Sequence, residues 1–160
     1  MIIDIVFNEP VDANSLDVRH IRIQNEQAAF PTSSYRLQQV VAVTSSNFST
    51  VITFELDQLD RNAIQAIADL ATDNNNTFLA VDPEAILDTS GNMVARVSPS
   101  QALPVFLFQI DTVVPELDAF GLDLDRRIIS LAFSETVDTS TLNLSRLTIH
   151  DTDGNSITPL

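Results

Sequence analysis

Few residues in this chain have the type and spacing to do chemistry. Hard cations want roughly six to eight oxygens from carboxylates and carbonyls. Glu9, Asp12, Asp111, Glu135 and Asp138 fall near the expected ends of domains, so they are the candidate ligands for structural calcium. Asp151-Thr152-Asp153-Gly154-Asn155 has the look of half a calcium loop, but it lacks the downstream bidentate Glu and reads better as a hairpin turn. Asn47-Phe48-Ser49, Asn75-Asn76-Thr77 and Asn143-Leu144-Ser145 are N-glycosylation acceptors, with Asn47 and Asn75 in expected surface turns. The imidazoles, His20 and His150, stand in no Ser-His-Asp order and no zinc-type pair. With only three glycines, no phosphate-cradling loop is visible. The sequence therefore points away from an enzyme. No organic cofactor is expected, and calcium is the one bound ion for which it offers ligands.

Composition narrows the setting. The formal charge is −14, and all eight basic residues are arginine. A chain this acidic is repelled by nucleic acid and by anionic membrane surfaces. Most of its acids read as solvated loop and strand-edge residues. There is no Cys, which excludes disulfides, thiolate metal sites and Cys nucleophiles. No apolar run is long enough to span a bilayer as a helix, and the first residues do not form a signal peptide. Hydrophobic residues make up 44% of the 160, enough for a buried core.

The elements that must position these residues emerge when the chain is aligned with itself. Residues 2–24 read IIDIVFNEPVDANSLDVRHIRIQ, and residues 128–150 read IISLAFSETVDTSTLNLSRLTIH. They align without a gap at an offset of 128 − 2 = 126. Ile2, Ile3, Phe7, Glu9, Val11, Asp12, Leu16 and Ile23 recur as Ile128, Ile129, Phe133, Glu135, Val137, Asp138, Leu142 and Ile149. The histidines do not correspond: His20 aligns with Arg146, and His150 with Gln24. The pattern implies a repeat over 1–111 that lacks its first strand, then the N-terminal part of the next repeat over 112–160. A window on a longer tandem polypeptide is the simplest origin. Short subunits polymerising through donated strands are the alternative.

Alternation around Ile3, Ile5 and Phe7 predicts a strand over 2–7, stopped by Asn8-Glu9-Pro10. Asp12 to Asp17 reads as a short helical turn opened by Asp12 or Asn14. Strands follow at Ile21–Ile23, interruptedly over 34–43, and at Thr50–Leu56. Leu59, Ile64, Ile67 and Leu70 share one helical face over 57–70, with Asp57 and Asp60 at its N-terminus. Further strands are expected at Thr77–Val81, Met93–Val97 and Leu103–Ile110, with single turns at 83–87 and 88–92. Phe106 and Phe108, alternating on the last strand, are expected in the core. Many short strands with one inserted helix predict an all-β, two-sheet sandwich.

Phe7-Asn8-Glu9-Pro10-Val11-Asp12 and Phe133-Ser134-Glu135-Thr136-Val137-Asp138 resemble the "TFSEPVD" signature that opens bacterial-type Ig-like domains of S-layer and adhesin proteins. Asp88-Thr89-Ser90-Gly91-Asn92 resembles that family's "D-x-x-G-N" turn, and Asp111-Thr112-Val113-Val114-Pro115 its "D-T-T-x-P" start. The inserted helix and the long period are similar to tandem repeats of giant algal and protist surface proteins, including flagellar-hair (mastigoneme) proteins. The resemblance implies an Ig-like β-sandwich in tandem, with an extracellular or cell-surface location. It implies a structural role in a filament or appendage, with neighbouring repeats and other copies of the assembly as partners and no membrane insertion. The alternatives are the stalk or binding module of an adhesin or S-layer-type protein, and an accessory domain of a secreted enzyme.

Overall fold

The computed structural model of the chain describes residues 1–150 and 156–157. Its internal contacts divide it into two units, Met1–Val114 and Pro115–Leu160. The division falls three residues beyond the 111/112 boundary expected from sequence.

The first unit contains strands β1 (Ile2–Asp12), β2 (Ile21–Gln24), β3 (Ser34–Arg36), β4 (Val40–Val43), β5 (Phe48–Leu56), β6 (Phe78–Val81) and β7 (Leu103–Pro104), with one α-helix, α1 (Gln58–Gln65). The strands form two antiparallel sheets, ordered β1-β5-β4 and β3-β2-β6-β7. Among the described residues the chain is thus all-β apart from one α-helix and several 3₁₀ turns.

Period-2 alternation does most of the sorting. On β5, Ile52, Phe54 and Leu56 are fully buried. The intervening Val51, Thr53 and Glu55 pair across to Val6, Asp4 and Ile2 of β1. On β2, Ile21 and Ile23 point inward, and both sheets contribute to one core with Val11, Leu37, Ile64, Leu70, Val81 and Ile86. Each fully buried large aliphatic or aromatic side chain contributes about 1.5–3 kcal/mol over its exposed state.

Several expectations are corrected. Asn8-Glu9-Pro10 does not end the first strand. The ladder jumps from Val6↔Val51 to Val11↔Ser49, so these residues form an irregularity inside β1. Pro10 has no N–H to offer, and such a position in an edge strand tolerates it. The stretch 34–43 is not one interrupted strand, because β3 and β4 belong to different sheets. The helix is shorter than the periodicity suggests, and Leu59 is 72% exposed while Ile64 and Leu70 are buried. Met93 and Val97 make only isolated bridges, to Leu87 and Val81. The last expected strand shrinks to Leu103–Pro104, and Phe106 is 74% exposed rather than in the core. Pro104 removes a ladder donor at that point.

The second unit contains β8 (Leu117–Asp123) paired antiparallel with β9 (Ile128–Phe133), and β10 (Ile149–His150) paired with β11 (Ser156–Ile157). None of its described residues is buried, as expected for two-stranded ribbons.

The capped turns of the two aligned segments adopt the same local conformation, while the strands differ in length, Ile2–Asp12 against Ile128–Phe133 and Ile21–Gln24 against Ile149–His150. A 3₁₀ turn at Ala13–Ser15 matches one at Thr139–Thr141, and one at Val18–His20 matches one at Leu144–Arg146. Each pair is separated by the 126-residue offset of the sequence alignment. The capping Asp12 has φ −83° and ψ 106°, and Asp138 has φ −75° and ψ 105°. Asp17 and Asn143 correspond in the same way, at φ −118°, ψ 98° and φ −103°, ψ 96°.

Candidate functional site

The five expected calcium ligands have separate local roles. Asp12 Oδ1 accepts from the Asn14 backbone N–H and Nδ2, both at 3.0 Å. The Ser15 hydroxyl donates to the Asp12 carbonyl at 2.7 Å and accepts from Leu87 N–H at 2.9 Å, tying the turn to the chain opposite. Asp138 Oδ1 accepts from Ser140 N–H at 2.9 Å and from its hydroxyl at 2.7 Å. Those hydroxyl and N–H contacts hold the Asp138 carboxyl below its usual range. Asp111 Oδ1 accepts from Val113 N–H at 2.9 Å. Glu9 lies exposed in the irregular part of β1, and Glu135 follows β9. Among the described residues, no three of His, Asp and Glu stand together in a way that could hold a metal ion. Residues 151–155, read from sequence as half a calcium loop, lie outside the described residues.

The three sequon asparagines are all exposed. Asn47 lies between β4 and β5, and Asn75 sits in a 3₁₀ turn capped by Asp73. Asn143 Oδ1 accepts from Ser145 N–H at 3.0 Å and from its hydroxyl at 2.7 Å, while no described contact engages its Nδ2. Of the histidines, His20 stands 3.7 Å from Glu84 and 3.9 Å from Asp17.

Two clusters depend on pairings between distant segments that sequence periodicity does not supply. Asp60, on the first turn of α1, is fully buried. It accepts from the Tyr35 hydroxyl at 2.7 Å and from the backbone N–H groups of Gln38 and Gln39 at 2.8 and 3.1 Å. Burial, then the bond to Asp60, push the Tyr35 hydroxyl up to about 12. This cluster fixes the crossing between β3 and β4, where the chain changes sheets.

The other cluster lies on the outer face of the β3-β2-β6-β7 sheet. Arg22 on β2 sits directly opposite Arg36 on β3 and Ala80 on β6. With His20, Asp82 and Arg96 these residues surround a depression of about 100 Å³. Ala80 is only 5% exposed although it lies outside the shared core, as expected for a floor covered by arginine stems. Asp82 takes two donors from Arg36, each at 3.1 Å, and an ion pair from Arg96 at 3.5 Å. Arg36 also donates to the Arg19 carbonyl at 2.8 Å. Arg22 has no acceptor among the described residues. The nearby Arg19 is held by Asp17 through contacts of 2.9 and 2.6 Å, and this partner brings the Asp17 carboxyl down to about 2.

A sequence signal for this patch does exist. Arg22 occupies the outward phase of the Ile21–Gln24 alternation. That it meets Arg36 depends on strand register, which alternation does not supply.

No described helix is long and apolar enough to cross a membrane. Comparison with protein-family models, with curated proteins and with solved structures gives no match.

Proposed function

We propose that the chain is a structural Ig-like repeat module of a large extracellular protein, one that forms a filament or appendage on the cell or flagellar surface. The observation that carries this reading is the duplicated turn conformation, with two capped 3₁₀ turns recurring 126 residues apart in segments of matching sequence. Repetition at fixed spacing is what an extended array requires, because each unit then presents the same ends to its neighbours. Two antiparallel sheets sharing one core support the sandwich part of the reading.

The buried chemistry fits a load-bearing role. The most buried polar groups, Asp60 and Gln24, are spent on tying chain segments together. Gln24 Nε2 donates to the carbonyls of Glu26 at 2.7 Å and Pro99 at 2.8 Å, which fastens the 98–101 turn over the sheet. The test is immunogold electron microscopy of intact cells that make the protein, using an antibody raised to this chain. The reading expects label along extended surface structures. Label that appears only after permeabilisation refutes it.

A further inference from the structure

We propose that the arginine-lined depression on the β3-β2-β6-β7 sheet is a carboxylate-binding site. The starting point is an electrostatic anomaly. Like charges directly opposite on neighbouring strands destabilise a sheet, yet Arg22 faces Arg36 across one ladder position. Asp82 neutralises part of this cluster, but its carboxylate is engaged by Arg36 and Arg96. Arg22 is left with five N–H donors and no acceptor among the described residues. In a chain of charge −14, three of the eight arginines line this one depression.

Size and charge select the ligand. About 100 Å³ is far below the roughly 300–1,000 Å³ of a small-molecule site, so the depression takes a head group rather than a whole cofactor. Arg22 and Arg96 both line the depression, and a guanidinium fork matches a two-oxygen anion. Asp82 lines the wall, and Glu84 stands 3.7 Å from His20, another lining residue. A phosphate head group, with up to two charges on one centre, would be repelled by both acids more than a carboxylate head group, which brings one charge into the depression. Carboxylates reach the site either on a soluble acid or on an acidic side chain of a second copy, since the chain carries 22 acids.

The experiment is a titration of the full isotope-labelled chain with glutarate at low ionic strength, following the arginine Nε–H resonances. The proposal expects saturable shifts centred on Arg22 and Arg96 in the millimolar range. Phosphate should bind more weakly. Arg22→Gln should weaken glutarate binding by about tenfold or more, and Arg22→Lys by less, since Lys keeps the charge without the fork. Arg96→Gln, at a side chain 61% exposed, gives a second variant if Arg22→Gln perturbs the sheet. Shifts that do not saturate, or that persist unchanged in both Gln variants, overturn the proposal. Sedimentation at low salt then identifies the source. Self-association lost in Arg22→Gln assigns the carboxylate to a second copy. A monomer that still binds glutarate assigns it to a soluble acid.

Discussion

Removing the Asp60 carboxylate should damage the first unit more than any other single polar substitution. Asp60→Ala leaves the Tyr35 hydroxyl and the N–H groups of Gln38 and Gln39 without the acceptor that now stands 2.7–3.1 Å away. Asp60 itself is fully buried, so water does not readily replace it. Each unsatisfied buried group costs about 1–3 kcal/mol. Tyr35 is half-buried and Gln38 and Gln39 are exposed, so relaxation toward solvent reduces the sum to about 3–5 kcal/mol. Asp60→Asn keeps the shape and one acceptor oxygen and should cost about 1–2 kcal/mol. Tyr35→Phe removes one hydroxyl and should cost about 1 kcal/mol. Urea denaturation of the three variants and of the Asp60→Ala/Tyr35→Phe double variant gives the coupling directly. In the double variant the orphaned hydroxyl is gone, so its loss should be smaller than the sum of the single losses. An Asp60→Ala protein within about 0.5 kcal/mol of wild type, the range of ordinary surface changes, would refute the reasoning.

Tyr35 is the only tyrosine and the chain has no tryptophan, so phenolate absorbance reports this one group. Its midpoint should lie near 12, against about 10 for a free tyrosine. Because the folded value is raised, the unfolded chain loses its proton first, and stability should fall as pH rises from about 10 toward 12. The Asp17 carboxyl, followed by NMR, should titrate near 2, and Arg19→Ala should move it upward. Its folded value is lowered, so its stabilising effect is present above about 4 and is lost as pH falls toward 2. Asp12→Ala removes the acceptor for Asn14 and should cost about 1 kcal/mol by urea denaturation. Gly91 has φ +84° with nothing within 4 Å of a built Cβ, so Gly91→Ala should cost about 1 kcal/mol from backbone strain alone, read as a lowered Tm.

The local chemistry of this chain is legible in its sequence to different depths. Asp12 and Asp57 declare themselves as caps, because a short acceptor before a turn satisfies the turn's free N–H groups wherever the turn lies. Ile52, Phe54 and Leu56 declare the core face of β5 through alternation. What alternation cannot carry is pairing between distant strands. Asp60 looks like an ordinary helix-start acid, and only the placement of Tyr35 and Gln38 against it makes it a buried hub. Leu59 fits the apolar helical face, but α1 ends after Gln65 and the following turns supply Ile67 and Leu70 to the core instead. Phe106 and Phe108 alternate as strand residues do, yet β7 ends at Pro104 and Phe106 faces outward. Three of the five acids read as calcium ligands share a feature invisible to ligand counting: Asp12, Asp111 and Asp138 each use Oδ1 to accept from the N–H two residues ahead.

Asp17 and Asn143 make one further point. They occupy matching positions and produce the same bend, each through a side-chain oxygen that accepts from an N–H two residues on. One carries a full negative charge and the other none. The bend depends on the acceptor oxygen, so its geometry is separable from electrostatics. Net charge can therefore change at such a position while the bend stays the same. Surface potential is adjustable there without a change in the path of the backbone.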